Sequence, residues 1–167
     1  MYESYAKILG NHAAEVIRRT SNLHPTEVKV SPRPQELPSC ELAVRINFEG
    51  VFSGGSRGGG YVLCASARKE DSRPLLSALA SHLDLSPDLI AEDRGPFNLL
   101  SEFLNIIIGL TGADWSEHGF DMNFSPPDDL SGQTLPPPGE ADQAFHIVVK
   151  LENRLRLDLL AVFSGKL

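Results

Sequence analysis

The chain has 167 residues, 41% hydrophobic and 22% charged, with a formal net charge of −7. That length suits one domain with a sizeable core, and the balance excludes wholesale disorder. An acidic chain without a basic patch is no nucleic-acid binder. No apolar run approaches the ~20 residues of a membrane span, and the N-terminus lacks the apolar core of a signal peptide, so no membrane is expected and the protein reads as cytoplasmic. Cys40 and Cys64 are its two cysteines. Cys64, inside the run Tyr-Val-Leu-Cys-Ala, reads as a small buried hydrophobe in a reducing compartment.

Tyr5, Ile8, Leu9, Val16 and Ile17 share one side of a predicted helix from about Tyr5 to Arg19, with Arg18 and Arg19 in its last turn, where the dipole favours cations. From Glu41 to Glu49, Leu42, Val44, Ile46 and Phe48 alternate with Arg45, Asn47 and Glu49, the pattern of a half-buried strand. A glycine-rich turn follows, and Gly60 to Arg68 reads as the returning strand of a hairpin. Pro74, after Asp71 and Ser72, stands where a first helical residue would and predicts a helix to about Leu83. Ser86-Pro87 starts a short helix, and Pro96 opens another that Gly109 or Gly112 ends. His118 to Phe124 alternates as a strand around Phe120, Met122 and Phe124. The stretch from Ser125 to Gln143, with Pro126, Pro127 and Pro136 to Pro138, is expected to be an exposed loop. Two strands, Phe145 to Leu151 and Arg154 to Phe163, close the chain across a tight turn at Glu152-Asn153. This order predicts an α+β domain spanning residues 1–167, an antiparallel sheet with helices packed against it.

Several motifs carry little weight. Gly54-Gly55-Ser56-Arg57-Gly58 matches G-x-S-x-G, but that motif needs a strand before it and a helix after it, and here glycines and a strand follow. No Gly-Lys-Ser/Thr follows to make a phosphate loop. His12, His24, His82, His118 and His146 are scattered without metal-ligand spacing. Ser81, His82 and Asp84 are adjacent only in sequence, whereas triads assemble in space, and Glu92 and Asp93 read as solvated charge at a helix end.

The informative feature is the helix that Pro96 opens. From Phe97 to Leu110 its non-apolar positions are Asn98, Ser101, Glu102, Asn105 and Gly109, and all else is Leu, Ile or Phe. At about 100° per residue these five fall within about 100° of one another. Such a helix is buried over most of its circumference and keeps one narrow polar window, with Glu102 and Asn105 one turn apart. A carboxamide cannot act as a base, but its donor and acceptor can hold a water for phosphoryl transfer. A carboxylate beside it can grip a partner's cation and fix register. Gly109 lets another chain approach closely.

Ser101-Glu102-Phe103-Leu104-Asn105-Ile106-Ile107-Ile108-Gly109 resembles the Glu-x-x-Asn-x-x-x-Gly helix of the CheC/CheX/FliY chemotaxis phosphatases. The resemblance extends over about residues 41 to 164, through the hairpin from Phe52-Ser53-Gly54 to Gly60-Tyr61-Val62-Leu63, the helix after it, the Ser125-Pro126-Pro127 stretch and the terminal hairpin. It implies removal of phosphate from the aspartyl phosphate of a CheY-type response regulator. Asn105 would orient the hydrolytic water and Glu102 would bind the regulator's active-site lysine, with Asn98, Ser101 and Gly109 against the partner. Mg would be held by the regulator, and this chain would have no cofactor of its own. CheC-like members carry the motif on two helices. Here the first helix offers Ala14-Glu15-Val16-Ile17-Arg18, with Arg18 in place of the Asn. A single motif places the chain nearer CheX, whose members form homodimers through their sheets and so complete or extend the sheet by dimerisation. Asn98 stands where the family often has Asp or Ser, and the N-terminal region departs from the family pattern. Those departures motivate the alternative, a non-catalytic module that docks on a response regulator or flagellar-motor protein.

Overall fold

Alternation along Leu42–Phe52 gives an 11-residue strand that organises the sheet in the computed structural model, which describes residues 1–32, 40–134, 137–140 and 142–165. In chain order the elements are α1 (Tyr2–Thr20), β1 (Pro25–Pro32), β2 (Leu42–Phe52), β3 (Arg57–Ser66), α2 (Lys69–His82), a 3-10 turn (Pro87–Ala91), α3 (Gly95–Glu117), β4 (Phe120–Phe124), β5 (Asp128–Asp129), β6 (Gln143–Leu151) and β7 (Arg156–Ser164). The strands form one antiparallel sheet in the order β1-β6-β7-β3-β2-β4, with β5 also on β2. The fold is therefore α+β, as the segregated blocks of the sequence require. Leu42, Val44, Ile46 and Phe48 of β2, Val62 and Cys64 of β3, and Leu159, Ala161 and Phe163 of β7 form the main core with the helices.

Cys64 is fully buried, and burial pushes its thiol well above the ordinary range. The folded thiol stays protonated where the unfolded chain's would ionise, so stability is intact below that ordinary value and falls as pH rises through it. A disulfide reagent at mildly alkaline pH should leave Cys64 unmodified in the native protein and label it in denaturant. Rapid native labelling of Cys64, mapped by mass spectrometry, would contradict this packing.

Four expectations need correction. A strand at Pro25–Pro32 had no predicted counterpart, yet it pairs with β6 from Pro25 to Pro32 and closes that edge. Helix α2 starts at Lys69, not Pro74: the Glu41 carboxylate accepts the Lys69 N–H at 2.8 Å, and the helix forgoes the bond that position 74 cannot donate. Helix α3 runs through Gly109 and Gly112 to Glu117, because Thr111 and Trp115 still have a core to enter. It ends where Gly119, at φ 89°, turns the chain into β4; a Cβ there would lie 2.1 Å from the Ser53 hydroxyl.

The stretch from Ser125 is not wholly a free loop. The Ser125 N–H donates to Asn47 at 2.9 Å, Asp128–Asp129 pairs with Arg45 and Val44, and the Leu130 N–H donates to Ala43 at 3.0 Å. Asp128 takes the Arg45 guanidinium at 2.9 Å. β2 runs on beyond β4 and still has ladder groups to satisfy, and the backbone of this segment supplies their partners. Leu130 so held packs on a second apolar cluster on the outer sheet face, including Ala43, Leu63, Leu160 and Val162. Within the predicted loop, residues 135, 136 and 141 lie outside the described residues, Pro136 of the proline triplet among them.

The G-x-S-x-G match lies in a hairpin turn followed by a strand and lacks the helix that motif needs. Ser56 closes the β2–β3 hairpin, accepting the Phe52 N–H at 2.9 Å. Among the described residues, no group of three or more His, Cys, Asp or Glu residues could hold a metal ion.

Candidate functional site on helix α3

Helix α3 lies against the sheet and α1, held by Trp115, whose indole N–H donates to the Tyr5 carbonyl at 3.1 Å, and by His12, whose Nε2 meets the Asp114 carboxylate at 2.8 Å. Counted with its polar stripe, α3 is long and apolar enough to cross a membrane by length and composition, and half of that span is buried inside the fold. Its buried residues include Leu99, Leu100, Phe103, Leu104, Ile107 and Ile108. Asn98, Glu102, Asn105 and Gly109 are all exposed. Four of the five predicted positions thus form one exposed line.

Ser101 departs from that line. It is only 7% exposed, and its hydroxyl has no hydrogen-bond partner. At the margin of the stripe it has turned into the packed edge of the helix, so it does not belong to the open face.

The electrostatics of the line are simple. Helix α3 contains no Lys or Arg. Among the described residues, the side chains of Glu102 and Asn105 make no hydrogen bond or ion pair. Arg94, the cation just before the helix, sits 4.9 Å over the Phe97 ring. Glu102 therefore presents an uncompensated carboxylate about 5–6 Å, Cβ to Cβ, from a carboxamide with free donor and acceptor.

Helix α1 shows the opposite condition. Glu15 is bound by Arg19 at 2.7 Å and by Arg18, and its carboxyl is lowered chiefly by the Arg19 hydrogen bond. Its charge is satisfied within its own helix, and Arg18 occupies the position a second Asn would need. One helix, not two, presents the motif.

The flank beside this line is set by tertiary packing and has no local signal in the sequence. Strand β4 follows α3 directly, and its Phe124, 39% exposed, packs its ring against Gly112. An alternating strand read alone does not reveal which helix it lies beside.

The fold can be placed among known proteins. No family model and no curated protein matches the sequence. Solved structures do match in shape. A chemotaxis protein CheX from Desulfovibrio desulfuricans superposes with a TM-score of 0.71 at 16% identity, covering 98% of this chain and 99% of that one. A CheC-like superfamily protein from Shewanella sp. PV-4 gives 0.71 at 17% identity, over 96% and 97%. CheX from Borrelia burgdorferi, crystallised as a complex with CheY, BeF3 and Mg, gives 0.67 at 16% identity, over 95% and 97%. The chain has the CheC/CheX-like fold over nearly its whole length.

Proposed function

We propose that this protein is a CheX-like member of the CheC/CheX/FliY phosphatases and accelerates hydrolysis of the aspartyl phosphate of a cytoplasmic CheY-type response regulator. The observation that carries the reading is the exposed, unpartnered Glu102–Asn105 pair on a helix otherwise committed to the core. The fold shared with a CheX that forms a complex with CheY is consistent with it. In this reading α3 lies across the regulator's phosphorylation site. The Asn105 carboxamide holds a water in line with phosphorus. As the water oxygen bonds to phosphorus, the bond to the aspartate oxygen breaks, leaving inorganic phosphate and a free carboxylate. The carboxamide removes no proton, so its contribution is positioning. Glu102 takes the regulator's lysine ammonium and fixes the register of docking. Mg belongs to the regulator, and a homodimer is part of the same reading.

The test is the decay of a phosphorylated CheY-type regulator with and without this protein. Faster decay that Asn105→Ala abolishes supports the reading. Binding to the phosphorylated regulator with unchanged decay would instead make the chain a docking module.

Gly109 offers an independent check. A Cβ built there meets nothing within 4 Å, so the fold itself does not require glycine at this mid-helix position. Glycine in an exposed helix interior costs about 0.5–1 kcal/mol relative to alanine. Gly109→Ala should therefore raise stability by about that amount in denaturant titrations and weaken regulator binding. Both measurements moving in the same direction would remove Gly109 from the docking face.

A further inference from the structure

We propose that Phe124, seated on Gly112, is an apolar anchor that holds the receiver domain of the phosphorylated regulator against α3. This rests on the docking read above and names a residue that the helix motif does not contain. A specific protein interface needs about 800 Å² from each partner, far more than four residues of one helix offer. The docked surface must therefore spread beyond α3.

Strand β4 is its immediate continuation. The chain reverses at His118–Gly119, and β4 runs back beside the last turns of the helix. Phe120, Met122 and Phe124 share the face that also carries their pairing partners Phe52, Gly50 and Phe48. Phe120 is 1% exposed and Phe124 is 39% exposed, so this face of β4 emerges from the core at its far end.

That emergence falls at the motif. Gly112 stands seven residues after Asn105, nearly in line with it on the helix and about 10 Å along the axis. A Cβ at Gly112 would approach Phe124 Cζ to 2.9 Å and Cε2 to 3.3 Å. The ring lies flush with the helix only because position 112 has no side chain. An exposed aromatic held in this way extends the Asn98–Glu102–Asn105–Gly109 line into one surface with a polar centre and an apolar margin, the composition of protein interfaces.

The test measures binding to a CheY-type receiver domain carrying BeF3 and Mg, and the kinetics of its aspartyl-phosphate hydrolysis. Phe124→Ala should raise Kd and KM about tenfold, as truncation of an interface aromatic does, while kcat stays within about twofold. Gly112→Ala keeps the aromatic but pushes the ring out of place, and it should weaken binding in the same direction. It is also the deciding variant should Phe124→Ala melt early. Val51→Ala, which removes an exposed apolar side chain (45%) from the opposite sheet face, should leave Kd unchanged. If Phe124→Ala and Gly112→Ala bind like the parent while Asn105→Ala loses hydrolysis, the anchor is wrong and the phosphatase reading stands. If the parent neither binds the receiver domain nor speeds hydrolysis, both fall.

Discussion

Asn105→Ala is expected to lower the acceleration of regulator dephosphorylation by about 10²-fold while leaving the protein as stable as before. The size follows from removing one positioned polar group that acts only as the reaction proceeds. The unchanged stability follows from the structure: Asn105 is exposed, its side chain has no partner among the described residues, and alanine is the better helix former. Binding of the phosphorylated regulator should persist, because Glu102 and the apolar margin remain. Asn105→Asp sharpens the point. It keeps the shape but loses the donor and sets a negative charge against the phosphoryl oxygens, so it should be no more active than alanine. Phosphate release at saturating protein reads both variants, and circular dichroism melts confirm that both are folded. An alanine variant that matches the parent would remove Asn105 from the chemistry.

The site was legible because its signal is local. A helix with a 3.6-residue period sets Asn98, Glu102, Asn105 and Gly109 on one line, and among the described residues no element covers it. Ser101 misled because its place on the wheel is marginal, and the neighbouring packed surface decides which side of the boundary it falls on. The same limit explains the element errors. Gly109 and Gly112 look like helix ends in sequence, yet Thr111 after the first and Trp115 after the second are buried at 0% exposure, and that packing outweighs the cost of two glycines. Strand β1, Pro-Thr-Glu-Val-Lys-Val-Ser-Pro, has only Val28 and Val30 as apolar residues between two prolines. As an edge strand it needs no stronger pattern, since β6 supplies its ladder and its prolines and charges discourage further pairing. The loop after β4 looked free because Arg45, Asn47, Ser125 and Asp128 are far apart in sequence, and only the fold brings them together.

Trp115→Ala is expected to cost about 3–5 kcal/mol of stability, a large share of the roughly 5–15 kcal/mol that holds a domain together. Trp115 is fully buried. Its ring lies 5.3 Å from Phe48, 5.5 Å from Tyr5, 5.5 Å from Phe163 and 6.0 Å from Phe120, centroid to centroid. Its indole N–H makes one of the hydrogen bonds that tie α3 to α1, the His12–Asp114 contact being another. Alanine leaves a cavity at the meeting point of two helices and three strands and removes that bond, whereas Trp115→Phe keeps most of the contact and should cost less. Because this is the chain's single tryptophan, unfolding must be followed by circular dichroism in denaturant. Trp115 lies about 15 Å along the helix from Asn105 and on its buried side. Its loss should therefore act on the folded population and not on the chemistry. Dephosphorylation per folded molecule should stay near the parent's in Trp115→Ala and fall about 10²-fold in Asn105→Ala. If the tryptophan variant proved fully stable, the aromatic cluster would not be what holds α3 in place, and the exposure of its polar line would need another cause.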